Sequence, residues 1–225
     1  MRKNISEYKA VVFDLDGTLY YQGRLRIKMA WMLFSYYLCH FWRLKELFVV
    51  KDFRHVREHW SEYDKTDGPG DLDDKQYALV ADRMKTDKDK VRVIIREWMY
   101  ERPLKTVYET RDTDLLELIG RIKAAGQKVY IFSDYPITDK LNALGLSADG
   151  SYAATDERVN ELKPSPRGLK LIMEDGNYTS DEILMVGDRM SRDGEAAINA
   201  GCDYLILPRS RSDRHKLYDT LRQER

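Results

Sequence analysis

Residues 9–19 read Lys-Ala-Val-Val-Phe-Asp-Leu-Asp-Gly-Thr-Leu, and this stretch decides the fold. Its apolar run is continuous rather than alternating, which predicts a strand over residues 9–15 that is covered on both faces of a parallel sheet. Asp14 and Asp16 stand two residues apart at the carboxyl end of that strand and therefore point to the same side. Crowded carboxylates repel each other unless they share a proton or a cation. The stretch predicts either a site for a hard cation or an ordinary strand followed by an Asp-Gly turn.

Strands and helices alternate again in the second half of the chain. Apolar runs predict three further strands, and amphipathic or polar stretches predict five helices around them. The predicted strands are 129–132, 182–186 and 204–207, and the predicted helices are 114–125, 137–144, 166–174, 194–200 and 213–222. Such alternation is typical of a parallel sheet with helices on both faces. We therefore predict an α/β, Rossmann-like, doubly wound fold with an inserted all-helical cap subdomain.

The predicted insertion occupies residues 21–108, where helical periodicity replaces the strand signals. The domain prediction is a Rossmann-like core of residues 1–20 and 109–225 and a helical cap of residues 21–108. Within the cap, residues 64–74 are rich in Asp and Gly and predict a loop. Ligands of open α/β sheets bind beyond the carboxyl ends of the strands. Because the insertion leaves the chain at that end, we expect the cap to cover the site.

Polar side chains follow three of the predicted strands at the same ends. These groups are Asp14, Asp16, Ser133, Asp134, Asp188 and Asp193, and Lys163 stands in a loop before a helix. Carboxyl ends of parallel strands meet at one edge of a sheet, so we expect these side chains to lie close together. A carboxylate nucleophile, a cation that neutralises phosphate oxygens and nearby donors are the components of metal-assisted phosphoryl transfer.

In this order the residues resemble the haloacid dehalogenase superfamily of aspartate-nucleophile phosphatases and their relatives. The first motif matches residues 14–19, the second residues 131–134, the third Lys163-Pro164 and the fourth residues 187–193. The resemblance covers residues 10–201 apart from the helical insertion. That insertion takes the place of the helical cap found in the phosphoglycolate-phosphatase-like branch. The motifs are specific for the superfamily and say little about the substrate.

The resemblance implies a role for each motif residue. Asp14 would be the nucleophile that forms an aspartyl-phosphate, and Asp16 the acid that protonates the leaving oxygen and then the base that activates water. Ser133 would donate a hydrogen bond to a phosphoryl oxygen, and Lys163 would neutralise charge on the nucleophile. The implied Mg²⁺ ligands are the Asp14 carboxylate, the main-chain oxygen of Asp16, Asp188 and Asp193, the last through the water shell of the metal or by orienting Lys163 instead.

The predicted function is a magnesium-dependent phosphatase that hydrolyses a small phosphomonoester. Dehalogenases of the superfamily attack carbon and lack the second acid of the first motif, so Asp16 favours phosphoryl chemistry. Phosphomutases share all four motifs and are an alternative. A non-catalytic module that binds a partner through its cap is another, although the complete set of motif residues argues against it. The identity of the substrate is not predicted.

Residues 29–42 are the most distinctive local feature outside the motifs, an uncharged and aromatic-rich stretch of 14 residues. Basic residues flank it on both sides: Arg24, Arg26, Lys28, Arg43 and Lys45. It is shorter than the roughly 18 residues that span a bilayer. A run that is apolar on nearly all faces favours burial within the cap. A large apolar substrate, a membrane surface or a partner protein is the alternative.

Composition sets the remaining expectations. The 225 residues carry 38 basic and 38 acidic side chains with 43% hydrophobic residues, which predicts one folded domain, or one domain with a sizeable insertion, and argues against a dedicated nucleic-acid binder. Cys39 and Cys202 predict neither a disulfide framework nor a zinc site. A reducing compartment and a polar N-terminal segment without a signal core predict a cytoplasmic protein. The oligomeric state is left open.

Overall fold

The structure, a computed structural model, describes residues 3–63 and 71–223, which divide into two compact units. One unit combines the residues up to Gly23 with those from Val107 onward, and the other comprises Arg24–Thr106. The first contains the sheet, and the second, in its described residues, is helical. The predicted loop at residues 64–74 lies mostly outside the described residues, and its last residues begin a helix.

The sheet has five strands, all parallel. They are β1 (Ala10–Phe13), β2 (Lys128–Ser133), β3 (Gly150–Ala153), β4 (Ile183–Gly187) and β5 (Asp203–Ile206). Their order across the sheet is β3-β2-β1-β4-β5, with β1 at the centre. The chain therefore winds outward from β1 in both directions, which confirms the predicted α/β, Rossmann-like fold.

Eleven α-helices occupy the described residues. They are α1 (Gln22–Cys39), α2 (Lys45–Glu58), α3 (Trp60–Tyr63), α4 (Leu72–Met84), α5 (Lys88–Ile95), α6 (Leu104–Glu109), α7 (Thr113–Ala124), α8 (Thr138–Leu144), α9 (Arg167–Gly176), α10 (Glu195–Ala200) and α11 (Arg211–Gln223). Short 3-10 turns cover Ile5–Glu7, Phe41–Arg43 and Ser180–Glu182, and π-helical turns cover Arg96–Glu101 and Met190–Gly194.

The central strands β1 and β4 are buried on both faces, as their continuous apolar runs require. On one face, Ala10 and Val12 of β1 form a core cluster with the buried side chains of α9 and α10. Successive strand residues point to opposite faces, so Val11 and Phe13 are directed the other way. They are also fully buried. Helix α7 packs beside β2.

The register of the central strands brings the candidate site together. Phe13 pairs with Ile131 of β2 and with Val186 of β4, so the chain leaves all three strands at the same level. The main-chain N–H of Asp14 donates to the carbonyl oxygen of Val186 over 2.8 Å, which extends the pairing by one residue. The residues after β1, β2 and β4 therefore meet at one edge.

Strand β3 was not predicted, and its sequence explains why. Gly150–Ala153 is a four-residue edge strand with the composition Gly-Ser-Tyr-Ala, which has neither an apolar run nor a strict alternation. Only Ala153 is buried among these four residues. The strand forms because it pairs with residues Tyr130–Ser133 of β2, since its own residues have little preference for strand structure.

The helical unit has a core of its own. Helices α1, α2, α4 and α5 contribute buried side chains to one apolar cluster, which includes Met29, Tyr37, Phe53, Val80 and Ile95. Asp71 caps α4, since its side chain accepts a hydrogen bond from the N–H of Asp73 over 3.0 Å. The unit thus buries an apolar interior built from helices alone in its described residues.

The prediction that residues 29–42 are buried within the cap is correct for only one face of the stretch. Met29 and Tyr37 belong to the helical core, whereas Trp31, Phe34 and Leu38 are exposed. Residues three and four apart share a face of a helix, so the two sets lie on different sides of α1. Among the helices in residues 3–63 and 71–223, none has the combined length and hydropathy of a membrane span.

Candidate active site

Asp14 sits in a tight turn after β1, buried at 5% exposure. Its Oδ2 accepts a hydrogen bond from Thr18 Oγ1 over 2.9 Å, and its Oδ1 accepts one from Lys163 Nζ over 2.5 Å. Gly17 allows this turn because its φ is +103° and a Cβ there would lie 2.4 Å from Asp188 Oδ2. Position 17 therefore requires glycine, because the Asp188 carboxylate leaves no room for a side chain there.

Lys163 is an ammonium buried in a cage of oxygen atoms. Nζ donates to Asp14 Oδ1 over 2.5 Å, to Asp193 Oδ1 over 2.6 Å and to the carbonyl oxygen of Phe132 over 3.3 Å. Burial favours the neutral amine, but the charges of Asp14 and Asp193 outweigh it and raise the pKa of Lys163. Lys163 therefore carries a fixed positive charge beside Asp14.

Three carboxylates gather around that charge. Asp14, Asp188 and Asp193 each offer an oxygen, and these oxygens lie within 4.8 Å of one another. Burial raises the pKa of Asp14 well above its usual range, and the charges of Asp193 and Asp188 add to the effect although Lys163 opposes it. Burial and Asp193 likewise raise the pKa of Asp188. Three carboxylates against one ammonium would leave two uncompensated negative charges when all are ionised.

A divalent cation fits this cluster. Asp188 Oδ1 is buried and has no hydrogen-bond partner among residues 3–63 and 71–223. A buried carboxylate oxygen without a donor is costly, and a hard cation would satisfy it. Asp193 is placed differently, because its Oδ1 accepts from Lys163 and its Oδ2 from the main-chain N–H groups of Asp188 and Arg189. Asp14 and Asp188 are thus the better candidates for direct ligands, and Asp193 positions Lys163.

Asp16 lies in a separate cluster of donors. Its Oδ1 accepts hydrogen bonds from Lys140 Nζ over 2.5 Å and from the Tyr20 hydroxyl, and its Oδ2 accepts one from Ser133 Oγ over 3.3 Å. Burial alone would raise the pKa of Asp16, but the charge and hydrogen bond of Lys140, with help from Tyr20, lower it overall. Asp16 is therefore ionised near neutral pH and able to accept a proton.

Ser133 connects the second motif to this cluster. Its Oγ donates to Asp16 and accepts from the main-chain N–H of Tyr135 over 3.1 Å, and the side chain is fully buried. The neighbouring Asp134 accepts from the main-chain N–H of Lys163 over 2.9 Å. That bond ties the loop carrying the ammonium to the end of β2.

All six predicted site residues therefore meet at one edge of the sheet. Asp14, Lys163, Asp188 and Asp193 form one contact network, and Asp16 with Ser133 forms a second beside it. The Asp16 carboxylate does not belong to the acid cluster, and the use of its main-chain oxygen as a metal ligand stays a prediction.

Three further residues of this site were missed by sequence reasoning. Lys140, only 5% exposed, comes from α8 and pairs with Asp16, and Tyr20 donates to the same carboxylate. Arg214 comes from α11 and donates to the carbonyl oxygens of Gly17 over 2.6 Å and Thr18 over 3.0 Å. Only Tyr20 carried a local signal, since it lies four residues after Asp16. Lys140 and Arg214 stand in polar helices whose sequences predict solvent exposure.

Comparisons with solved structures place this fold among known ones. A magnesium-bound HAD-hydrolase structure, YfnB of Bacillus subtilis, superposes with a TM-score of 0.62 and 14% identity, covering 96% of this chain and 99% of that one. A 2-haloacid dehalogenase from Pseudomonas syringae gives 0.59 and 16% over 89% and 86% of the two chains. A predicted phosphoglycolate phosphatase from Haemophilus somnus gives 0.56 and 19% over 92% and 88%. At these identities the likeness concerns the fold alone.

Sequence comparisons identify the family. A search of curated proteins found no match. The family model described as haloacid dehalogenase-like hydrolase matches residues 8–201, a range that includes both strand ends of the acid cluster and the Lys163 loop. Since that match spans most of the chain, the protein belongs to the family of haloacid dehalogenase-like hydrolases.

Proposed function

We propose that the protein is a magnesium-dependent phosphatase that hydrolyses a small phosphomonoester through an aspartyl-phosphate on Asp14. The observation that carries this proposal is the second carboxylate, Asp16, held beside the Asp14 network by Lys140, Tyr20 and Ser133. An alkoxide leaving group needs a proton, whereas a halide leaves without one. A positioned proton carrier next to the nucleophile therefore favours an oxygen leaving group.

Asp14 supplies the nucleophile in this scheme. One carboxylate oxygen attacks phosphorus, a P–O bond forms, and the bond to the substrate oxygen breaks. Lys163 offsets the negative charge of this nucleophile, because its ammonium lies 2.5 Å from Asp14 Oδ1. Thr18 and Lys163 together fix the carboxylate before any substrate arrives.

Asp16 carries the proton in both half-reactions. The bound phosphate dianion brings negative charge near Asp16 and raises its pKa, which favours the protonated form that donates to the leaving oxygen. Water then attacks the aspartyl-phosphate, and Asp16 takes its proton. Inorganic phosphate leaves and the free Asp14 carboxylate returns. Lys140 favours the ionised form of Asp16, so it supports the second half-reaction most directly.

The remaining groups stabilise charge on the transferring phosphoryl group. Mg²⁺ held by the carboxylates of Asp14 and Asp188 and by the main-chain oxygen of Asp16 would neutralise phosphoryl oxygens. Ser133 Oγ and the fixed charge of Lys163 offer a hydrogen bond and an ammonium for the other oxygens. We further propose that residues 21–108 act as the cap that selects the substrate, with residues 1–20 and 109–225 as the catalytic core.

A panel of phosphomonoesters, including p-nitrophenyl phosphate, tests this function by the release of inorganic phosphate with Mg²⁺ and after chelation. We expect release that depends on Mg²⁺. Parallel assays measure halide from 2-haloacids and rearranged product from sugar phosphates. Halide release without phosphate release would show a dehalogenase, and rearrangement without net phosphate release would show a phosphomutase. Either outcome, or no turnover across the panel, would overturn the proposal.

A further inference from the structure

The helical unit exposes six large apolar side chains on α1 and in the turn that follows it, which we name the aromatic stripe. It consists of Ile27, Trp31, Phe34, Leu38, Phe41 and Trp42. The first four follow at spacings of four, three and four residues and so share one face of α1, and the last two lie in the 3-10 turn that follows it. Each member is between 62% and 71% exposed.

The rest of α1 shows that this exposure belongs to a folded, two-faced helix. Met29 and Tyr37 are buried in the helical core, and Tyr37 donates a hydrogen bond to Glu46 Oε2 over 3.2 Å. Its ring also stacks on Trp98 with the centroids 5.4 Å apart. Single exposed apolar residues are ordinary on protein surfaces, but four on one face of a packed helix with two more in the next turn mark an interaction surface.

Charge around the aromatic stripe indicates what it contacts. Residues 17–45 contain five basic side chains and no acidic one, in a chain that carries 38 of each sign overall. Four of the five are exposed, namely Arg24, Arg26, Lys28 and Lys45. An apolar face with bases beside it complements an anionic lipid surface, where lipid tails receive the rings and headgroups attract the bases.

The residue types point the same way. Trp is enriched where a bilayer meets water, and the aromatic stripe contains two of the four tryptophans in the chain. Helix α1 has 18 residues but lacks the hydropathy of a membrane span. A helix with one apolar face and one packed face suits a position parallel to the membrane plane. A second copy of the chain on the same surface would bring two sets of bases together, which is unfavourable.

We propose that the aromatic stripe docks the helical unit on the surface of an anionic lipid bilayer. Docking inserts the exposed rings of α1 and of the following turn among the headgroups, and the bases beside them face anionic lipids. This inference is independent of the proposed phosphatase activity, because it rests only on residues of the helical unit.

Co-sedimentation with phosphatidylserine-containing vesicles and with pure phosphatidylcholine vesicles tests the proposal. We expect binding to the anionic vesicles at low ionic strength to exceed binding to the neutral ones by about tenfold or more, and to weaken as salt is added. Brominated lipids should quench the tryptophan fluorescence of the wild-type chain, because Trp31 and Trp42 would lie at the depth of the bromine atoms. No binding at low salt would overturn the proposal.

Two double variants distinguish binding through the aromatic stripe from nonspecific binding through exposed apolar side chains elsewhere. Trp31→Ser with Phe34→Ser should lower binding to anionic vesicles by about tenfold or more. The matched control is Val93→Ser with Ile198→Ser, which also removes two exposed apolar side chains, at 61% and 53% exposure, and should bind like the wild type. Circular dichroism checks that both double variants fold.

Two results would contradict the proposal. Equal loss of binding in the control would assign the effect to surface hydrophobicity in general. Sedimentation velocity measures whether the wild-type chain forms a dimer and whether Trp31→Ser with Phe34→Ser dissociates it. If it does, and if the wild-type chain does not bind vesicles, the aromatic stripe is an interface between two copies. Turnover of p-nitrophenyl phosphate by the wild-type chain without vesicles is measured separately, which keeps a failure of membrane binding distinct from a failure of the proposed activity.

Discussion

The sheet unit buries charges where apolar side chains usually lie, and the helical unit exposes apolar side chains where polar ones usually lie. At the edge of the sheet, Asp14, Lys140, Lys163 and Asp193 are each at most 5% exposed. On α1, Trp31 is 69% exposed. Fully buried Lys and Asp are rare unless paired, and large contiguous apolar surfaces are rare on a monomer.

The buried charges and the exposed apolar side chains suit two different kinds of function. Buried charges that contact one another hold a reactive group in a fixed state and exclude water, which is what a catalytic site needs. Exposed apolar side chains contribute nothing to the stability of an isolated chain and gain free energy only on contact with something else. Changing residues in the two regions should therefore affect different properties, and the expected effects differ in size.

The largest effect is expected at Asp14, the proposed nucleophile. Asp14→Asn should lower phosphatase turnover by about 1,000-fold or more, because an amide does not form the aspartyl-phosphate. Release of p-nitrophenol measures it, with Asp213→Asn on the exposed start of α11 as the matched control. Substantial turnover in Asp14→Asn would disprove the nucleophile assignment.

The next largest effect is expected at Arg214, the buried arginine that donates to the turn after β1. Arg214→Met should lower the free energy of unfolding by about 3–5 kcal/mol, because it leaves Asp112 and the carbonyl oxygens of Gly17 and Thr18 without this donor. Urea denaturation measures the change. Arg211→Met, on the same helix but exposed, should cost no more than about 0.5 kcal/mol. Equal costs for the two variants would show that Arg214 does not support the turn.

The affinity of the acid cluster for Mg²⁺ should depend on Asp188. Asp188→Asn should weaken Mg²⁺ binding by about 10- to 100-fold, because it removes a negative charge and replaces one carboxylate oxygen with an NH2 group that does not bind a cation. The rise in melting temperature with Mg²⁺ concentration measures affinity without relying on turnover. Asp213→Asn again serves as control. An unchanged Mg²⁺ response in Asp188→Asn would exclude this carboxylate as a ligand.

A smaller effect on turnover is expected at Lys140. Lys140→Met removes the charge that lowers the pKa of Asp16, and burial then raises that pKa. Because Asp16 must be ionised to take a proton from water in the second half-reaction, the acid limb of the pH profile of kcat should move to higher pH, and turnover near neutral pH should fall by about tenfold. Lys170→Met on the exposed face of α9 should leave the profile in place. A fall without a shift of the acid limb would indicate a structural role only.

The smallest effect on stability is expected in the aromatic stripe. Trp31→Ser should change the free energy of unfolding by no more than about 0.5 kcal/mol, because its ring is mostly exposed. Phe53→Ala in the helical core, where the side chain is fully buried, should cost about 3–5 kcal/mol. Urea denaturation compares the two. A large loss in Trp31→Ser would mean that the ring packs in the folded chain and would end the contrast between the two units.

Much of the sheet unit followed from local pattern. The continuous apolar run at Ala10–Phe13 predicted a strand covered on both faces, and the acids after it predicted the cluster at the sheet edge. Parallel topology makes this possible, because it sends the carboxyl ends of separate strands to one place. Strand β3 escaped prediction because a short edge strand of Gly, Ser, Tyr and Ala depends on its neighbour for order.

The amino-acid sequence alone determined the fold class, the first strand and the family, since all three depend on residue types at short spacing. Tertiary structure decided which distant side chains complete the site. Lys140 reaches Asp16 across 124 residues of chain and Arg214 reaches Gly17 across 197, and no local pattern records such contacts. It also decided that α1 is buried on one face and exposed on the other. Residues 29–42 are apolar on most sides, so only the packing of α1 against its neighbours selects the face that stays in water.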